Sequence, residues 1–167
     1  MKIRRTLLTS TVATSIMTAF SYLISSLKKE NYREPELLAG IVDHLVVKDK
    51  RQQRLTADGW LIHYTMGAVW SPIQLYVLKH KDTKANYVHA AAFGVFGGIT
   101  GSIIWELSFR AACYRPKINK RAFYLHLVLA HVVYSISLWK LRSREVKPPP
   151  DQKPILLPYQ IQTKDNF

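Results

Sequence analysis

Four side chains able to transfer a proton or ligate a metal stand inside apolar stretches of this chain: His63, Glu106, His126 and His131. A carboxylate or imidazole in an apolar run is expensive to desolvate, so each is a functional-site candidate by default. Two imidazoles with a carboxylate suit a divalent metal. Glu106 together with histidines that titrate near neutrality suits a proton or ion relay. Bis-histidine haem ligation requires His63 to face a histidine of the last apolar stretch. The plainest use is structural, with Glu106 paired to Arg110 one turn on and the histidines bonded across helices. Neither haem nor a divalent metal is favoured, because the ligands come from three separate segments with no paired local motif.

The elements that position these groups are long apolar runs. Residues 7–27, 60–78, 89–109 and 122–139 are each close to the roughly 20 residues that cross a bilayer as a helix. The fold class expected is therefore an all-α membrane protein: a four-transmembrane-helix bundle with one amphipathic surface helix and an extended C-terminal tail. Residues 1–139 form the membrane domain, and 140–167 form a basic, proline-rich tail with prolines at 148–150, 154 and 158. The first run suits a retained span better than a cleaved signal peptide, although its Arg, Ser and Thr content also fits a mitochondrial presequence.

Chain direction brings three of the candidates to one depth. His63 begins the second span, Glu106 ends the third and His126 begins the fourth, all from the same side. At 1.5 Å per residue they sit roughly 5–6 Å below one surface, with His131 roughly 13 Å deep. His89 falls at the opposite face. His126 and His131 are about 140° apart around their helix, so they cannot share a pocket. His63, Gly67, Trp70 and Gln74 recur at helical spacing and define an inward stripe. Tyr134 and Ser135 flank His131.

Packing signals surround these positions. Thr11, Thr14, Ser15, Thr18, Tyr22 and Ser25 form a small, polar stripe along the first span. Gly94 with Gly98, and Gly97 with Gly101, give two overlapping G-x-x-x-G patterns in the third. Between the first two spans, Leu37, Leu38, Ile41, Val42, Leu45 and Val46 repeat helically behind Pro35. They predict a helix over about 35–48, lying at the membrane surface or docked on the bundle, with Glu34 and Glu36 favourable at its start. The basic run 48–54 then rests against headgroups.

Composition narrows the function classes. The chain has 167 residues, one unit's worth, and a formal net charge of +13 spread over every connection. No zinc finger, RNA-binding consensus or basic recognition helix accompanies that charge, so nucleic acid is not an expected partner. The bilayer and its anionic headgroups are, and so are other membrane proteins or a second copy. With four spans, twelve Lys and Arg fall on each side, and the positive-inside rule gives a tie. The single Cys113 excludes an internal disulfide. Phosphate loops, nucleophile elbows and H-E-x-x-H motifs are absent, so an enzyme is not the leading reading.

The run TSIMT at Thr14 to Thr18, the H-x-x-x-G from His63 to Gly67 and the glycines from Gly94 to Gly101 resemble small, uncharacterised bacterial inner-membrane proteins of about four spans. The resemblance covers roughly residues 10–139. It implies fold and a bacterial inner membrane, with a mitochondrial inner membrane the alternative, and no reaction. The expected function is a non-catalytic membrane subunit or accessory protein of a larger assembly. A small proton- or solute-coupled transporter using the His/Glu residues, or a metal- or haem-holding anchor, are the alternatives.

Overall fold

The structure, a computed structural model, describes residues 3–46, 52–80 and 86–145. The proline-rich tail beyond 145 and most of the basic run 48–54 lie outside the described residues. Among those described there are five helices and no strand: α1 (Ile3–Lys28), α2 (Glu34–Val46), α3 (Gln52–His80), α4 (Tyr87–Ala111) and α5 (Lys120–Glu145). Three segments, Ile3–Lys28, Tyr87–Ala111 and Lys120–Ser143, are long and apolar enough to cross a membrane. They are compatible with an integral membrane location. α3 is not among them, because His63, Gln74, Pro72 and several aromatic residues dilute its apolar stretch.

α4 and α5 form the closest pair, and glycine makes that possible. A Cβ on Gly94 would lie 2.6 Å from the Cα of Val132, and one on Gly98 would meet the Val128 backbone. Small residues let the two backbones approach, so dispersion contacts and not side-chain length hold the pair. α1 packs on α5 and α3, whereas α3 meets α4 and α5 only sparsely. The four long helices thus form a bent row, α3–α1–α5–α4, with a gap left between its two ends.

The inward face of α1 differs from the expected stripe. Thr6, Thr9, Ser10, Ala13, Thr14, Met17, Thr18, Ser21 and Ser25 are buried, while Thr11 and Ser15 are exposed. Thr11 donates to the Leu7 carbonyl and Ser15 to that of Thr11, both at 2.9 Å, and Ser15 Oγ also meets Tyr64 Oη of α3 at 2.9 Å. A helical hydroxyl can satisfy itself on the preceding turn, so hydroxyl content alone does not mark the packed face.

α2 is docked rather than laid on the surface. Leu37 and Ile41 are buried with Tyr32, Phe109, Ala112 and Phe123 in one apolar cluster at the end of the bundle. Its backbone crosses that of α3 where Gly59 lies against the Pro35 carbonyl, and Gly40 lies under the Tyr114 ring. A second cluster, Ala13, Met17, Ala130, Tyr134 and Leu138, joins α1 to α5 near mid-length. Large apolar side chains such as Leu8, Leu23, Leu61, Val69, Phe96, Ile103, Leu107 and Leu125 point outward, while Ser21, Glu34, His63, Gln74 and His126 are buried. Apolar outside and polar inside is the arrangement hydrocarbon solvent favours.

Candidate functional site

The gap in the row is a cleft of about 130 Å³. Its back wall is α1 and α5, through Thr14, Met17, Leu127, His131 and Tyr134. His63, Met66, Gly67 and Trp70 of α3 form one side, and Gly97, Thr100, Gly101, Ile104 and Trp105 of α4 the other. α2 closes one end with Glu34, Leu38 and Ile41. The Trp70 indole reaches across to α4, packing on Gly97 and tilted against Phe93 at 5.7 Å, and narrows the other end. Met66 and Ile104, both exposed, flank the side that opens outward from the bundle.

Most of this lining is apolar, but three polar atoms in it have no partner. Glu34 Oε2, Thr14 Oγ1 and Trp70 Nε1 are buried without a hydrogen bond. A buried polar group left unpaired costs about 1–3 kcal/mol, so three around one cleft require an explanation.

Glu34 is the group that sequence reading missed. It is 1% exposed. Ser21 Oγ donates to its Oε1 at 2.7 Å, and His126 Nε2 lies 4.0 Å from the same oxygen. Burial pushes this carboxyl up to about 7, against the opposing hydrogen bonds from Ser21 and its own backbone amide. Since the Ser21 proton is spent on Glu34, the 2.9 Å contact with His126 makes Nε2 of that ring the donor. Phe20 and Tyr32 stack on His126 at 5.5 and 4.8 Å, which fixes the ring plane.

The other histidines are likewise bonded. Thr18 Oγ1 donates to the Thr14 carbonyl at 2.8 Å, so it accepts from His63 Nε2–H, also at 2.8 Å. His131 Nδ1–H donates to the Leu127 carbonyl at 2.8 Å, leaving Nε2 as an acceptor beside Gly101. Tyr134 donates to the Gly67 carbonyl at 2.8 Å. Deeper along α3, Gln74 and Ser135 exchange two hydrogen bonds of 2.9 Å. The expected inward stripe His63, Gly67, Trp70 and Gln74 is therefore the packed face of α3. As expected from their angular separation, His131 lines the cleft and His126 does not.

Glu106 stands apart from all of these. It accepts from Arg110 Nε at 2.7 Å, Lys120 Nζ at 2.9 Å and Tyr124 Oη at 2.5 Å, where α4 meets the start of α5. It is paired with Arg110, as its structural use predicts, and it is not part of the cleft lining that His63 and His131 share. Among the described residues, no three His, Cys, Asp or Glu side chains converge in a way that can hold a metal ion. Of the two histidines of α5 that haem ligation opposite His63 could use, His126 is covered by the Phe20 and Tyr32 rings, and His131 bonds the Leu127 carbonyl through Nδ1. His89 sits at the far end, in contact with its helix cap Asn86 at 2.9 Å.

A signal for Glu34 did exist in the sequence. It lies three, four and seven residues before Leu37, Leu38 and Ile41, on the same helical face that carries the apolar residues. A carboxyl on an apolar face is the same anomaly that drew attention to Glu106. Comparison with known protein families, with curated proteins and with solved structures found no match to this chain.

Proposed function

We propose that this chain is a four-span, non-catalytic integral membrane protein that holds a small hydrophobic molecule entering from the bilayer. A bacterial inner membrane is the setting its sequence pattern suggests. α3 serves as the fourth span: its polar residues His63, Ser71 and Gln74 face inward, while Leu61, Met66, Val69, Ile73 and Val77 face out. The observation that carries the reading is the cleft between α3 and α4, apolar in bulk and edged by three unpaired polar atoms. Concave, mostly apolar sites with a few convergent polar groups are how proteins hold small molecules.

The accessory-subunit reading rested on the hydroxyl stripe, the glycine pattern and the amphipathic connection. Most of these are occupied within the chain: Thr14, Thr18 and Ser25 are buried, the glycines meet α5 and Trp70 of α3, and Leu37 and Ile41 are buried at the bundle end. What remains for a partner is the apolar outer surface and the tail outside the described residues.

The test is a thermal shift in maltoside micelles with neopentylbenzene as an apolar probe. The wild type is expected to gain in Tm as the ligand fills the cleft. Gly101→Leu and Thr100→Leu, which fill the same space with side chain, are expected to lose that gain while remaining helical. Equal shifts in wild type and both variants, or none in any, sink the reading.

A further inference from the structure

The cleft is lopsided in charge. Glu34 is the only carboxyl in its lining, and no lysine or arginine among the described residues joins it. One oxygen of that carboxyl is tied to Ser21 and the other is unpaired. Trp105, packed against the apolar cluster of α2, lines the cleft toward this end, Tyr134 lines its back wall and Trp70 its far end. We propose that the cleft takes an amphipathic organic cation, a quaternary ammonium or protonated amine on a compact apolar body, with Glu34 as its counter-charge.

The proposal rests on the cleft reading above and adds the ligand's charge. An anion entering here meets a carboxyl and no fixed positive charge. A neutral apolar molecule fills the space but leaves Glu34 Oε2 unpaired. A cation satisfies that oxygen and gains from the aromatic faces, an attraction that strengthens when water is excluded. Its apolar body meets the aliphatic remainder of the lining.

Charge balance then couples binding to a proton. In the empty cleft the protonated carboxyl avoids a buried, unpaired charge; a bound cation takes the proton's place, and the proton leaves to bulk water. Other groups facing Glu34 bear on this exchange. They are Tyr22 of α1, His63 of α3, and His126, His131 and Tyr134 of α5. α4 contributes no titratable side chain to the lining. Beside it in the chain, Tyr32 stacks on His126, and Arg33 and Glu36 are paired with each other at 3.0 Å.

The experiment compares three probes of one shape in the full chain: benzyltrimethylammonium, its carbon isostere neopentylbenzene, and the anion benzylsulfonate. Affinity is read by calorimetry in maltoside micelles at pH 6, in two buffers of different ionisation enthalpy. The cation is expected to bind at least tenfold tighter than the isostere, with release of close to one proton, and the anion not to bind. Glu34→Gln is expected to lose the tenfold preference and the proton release while still binding the isostere; Glu34→Asp is expected to keep part of both. Isostere binding with no preference for the cation, or a preference that survives in Glu34→Gln, overturns the proposal and leaves the cleft reading standing. No binding of any probe overturns both.

Discussion

Glu34 and Glu106 are both glutamates at the same end of one bundle, yet their surroundings are opposite. Glu106 has three donors, from two helices, and its side chain is 28% exposed. Glu34 has one side-chain donor, is 1% exposed, leaves an oxygen unpaired and belongs to the lining of a cleft. A saturated carboxylate at a bundle edge fastens helices together, and little is left for it to do. A starved one in the interior is a standing cost that a ligand can relieve. Apolar neighbours in the sequence do not separate the two cases; the donor count in three dimensions does.

Both carboxyls depend on the α4–α5 pair, and breaking that pair removes the comparison altogether. Gly98→Leu places a side chain where the Val128 backbone lies. The helices must then separate, at a cost of at least about 3 kcal/mol for overpacking without room to relax. Loss of cooperative melting in maltoside, with helical content retained, is the expected outcome. A melt indistinguishable from wild type would place α4 and α5 farther apart than described.

The next effect isolates Glu34 by pH. Its folded value of about 7 stands above an ordinary 4.5, so between those values the folded chain holds more proton than the unfolded one. The stability this contributes is full below about 4.5 and is lost as pH rises through about 7. The loss amounts to about 3–4 kcal/mol at roughly 1.4 kcal/mol per unit. Glu34→Gln removes this component. The variant is therefore expected to match wild type near pH 4.5 and to melt higher at pH 8. A difference that runs the other way, with wild type the more stable at pH 8, would show a carboxylate already paired in the folded state.

Glu106→Gln gives the contrasting, smaller result. The variant is expected to lower Tm modestly at low salt, because exposed ion pairs contribute little and are screened. That decrement shrinks at high salt, and binding of a probe in the cleft is unchanged. If Glu106→Gln weakened cleft binding as Glu34→Gln is expected to, the two carboxyls would belong to one site.

How much of this was legible follows from the physics of each signal. Apolar run length located α1, α4 and α5 within a few residues, and glycine spacing marked α4 as a closely packed helix without naming α5 as its partner. The stripe His63, Gly67, Trp70 and Gln74 was also readable, because one helix carries it and periodicity fixes its face. The pairing of Glu106 with Arg110 was readable from the one-turn spacing, whereas its bonds to Lys120 and Tyr124 were not, because position along a helix says nothing about rotation around it. The α1 stripe was partly rotated: Thr11 satisfies itself on its own backbone, while Ser15, though exposed, also bonds Tyr64 of α3. Glu34 was passed over because an acid at a helix start has a ready explanation in the helix dipole. Its burial arises only when α2 folds back into the bundle end, a long-range event with no local mark beyond its shared face with Leu37 and Ile41.

The smallest effect concerns the two helix ends nearest these carboxyls. Lys29 follows the end of α1 and Cys113 the cap of α4, and both residues adopt left-handed backbone, with φ of 54° and 51°. In each case the amide of the following residue returns to the carbonyl five back, Glu30 to Ser25 and Tyr114 to Phe109. Such a cap favours glycine, since a Cβ in that conformation is strained. Lys29→Gly and Cys113→Gly are therefore each expected to stabilise the fold by about 0.5–1 kcal/mol, the relief of strain being partly offset by a more flexible unfolded chain. The two differ in what they leave untouched: Lys29→Gly tightens the turn leading to Glu34, Cys113→Gly the turn between Glu106 and Lys120. If the cleft and the edge clamp are independent, the double variant gains the sum of the two in Tm, as distant sites add. A gain well short of the sum would mean that the two ends move together.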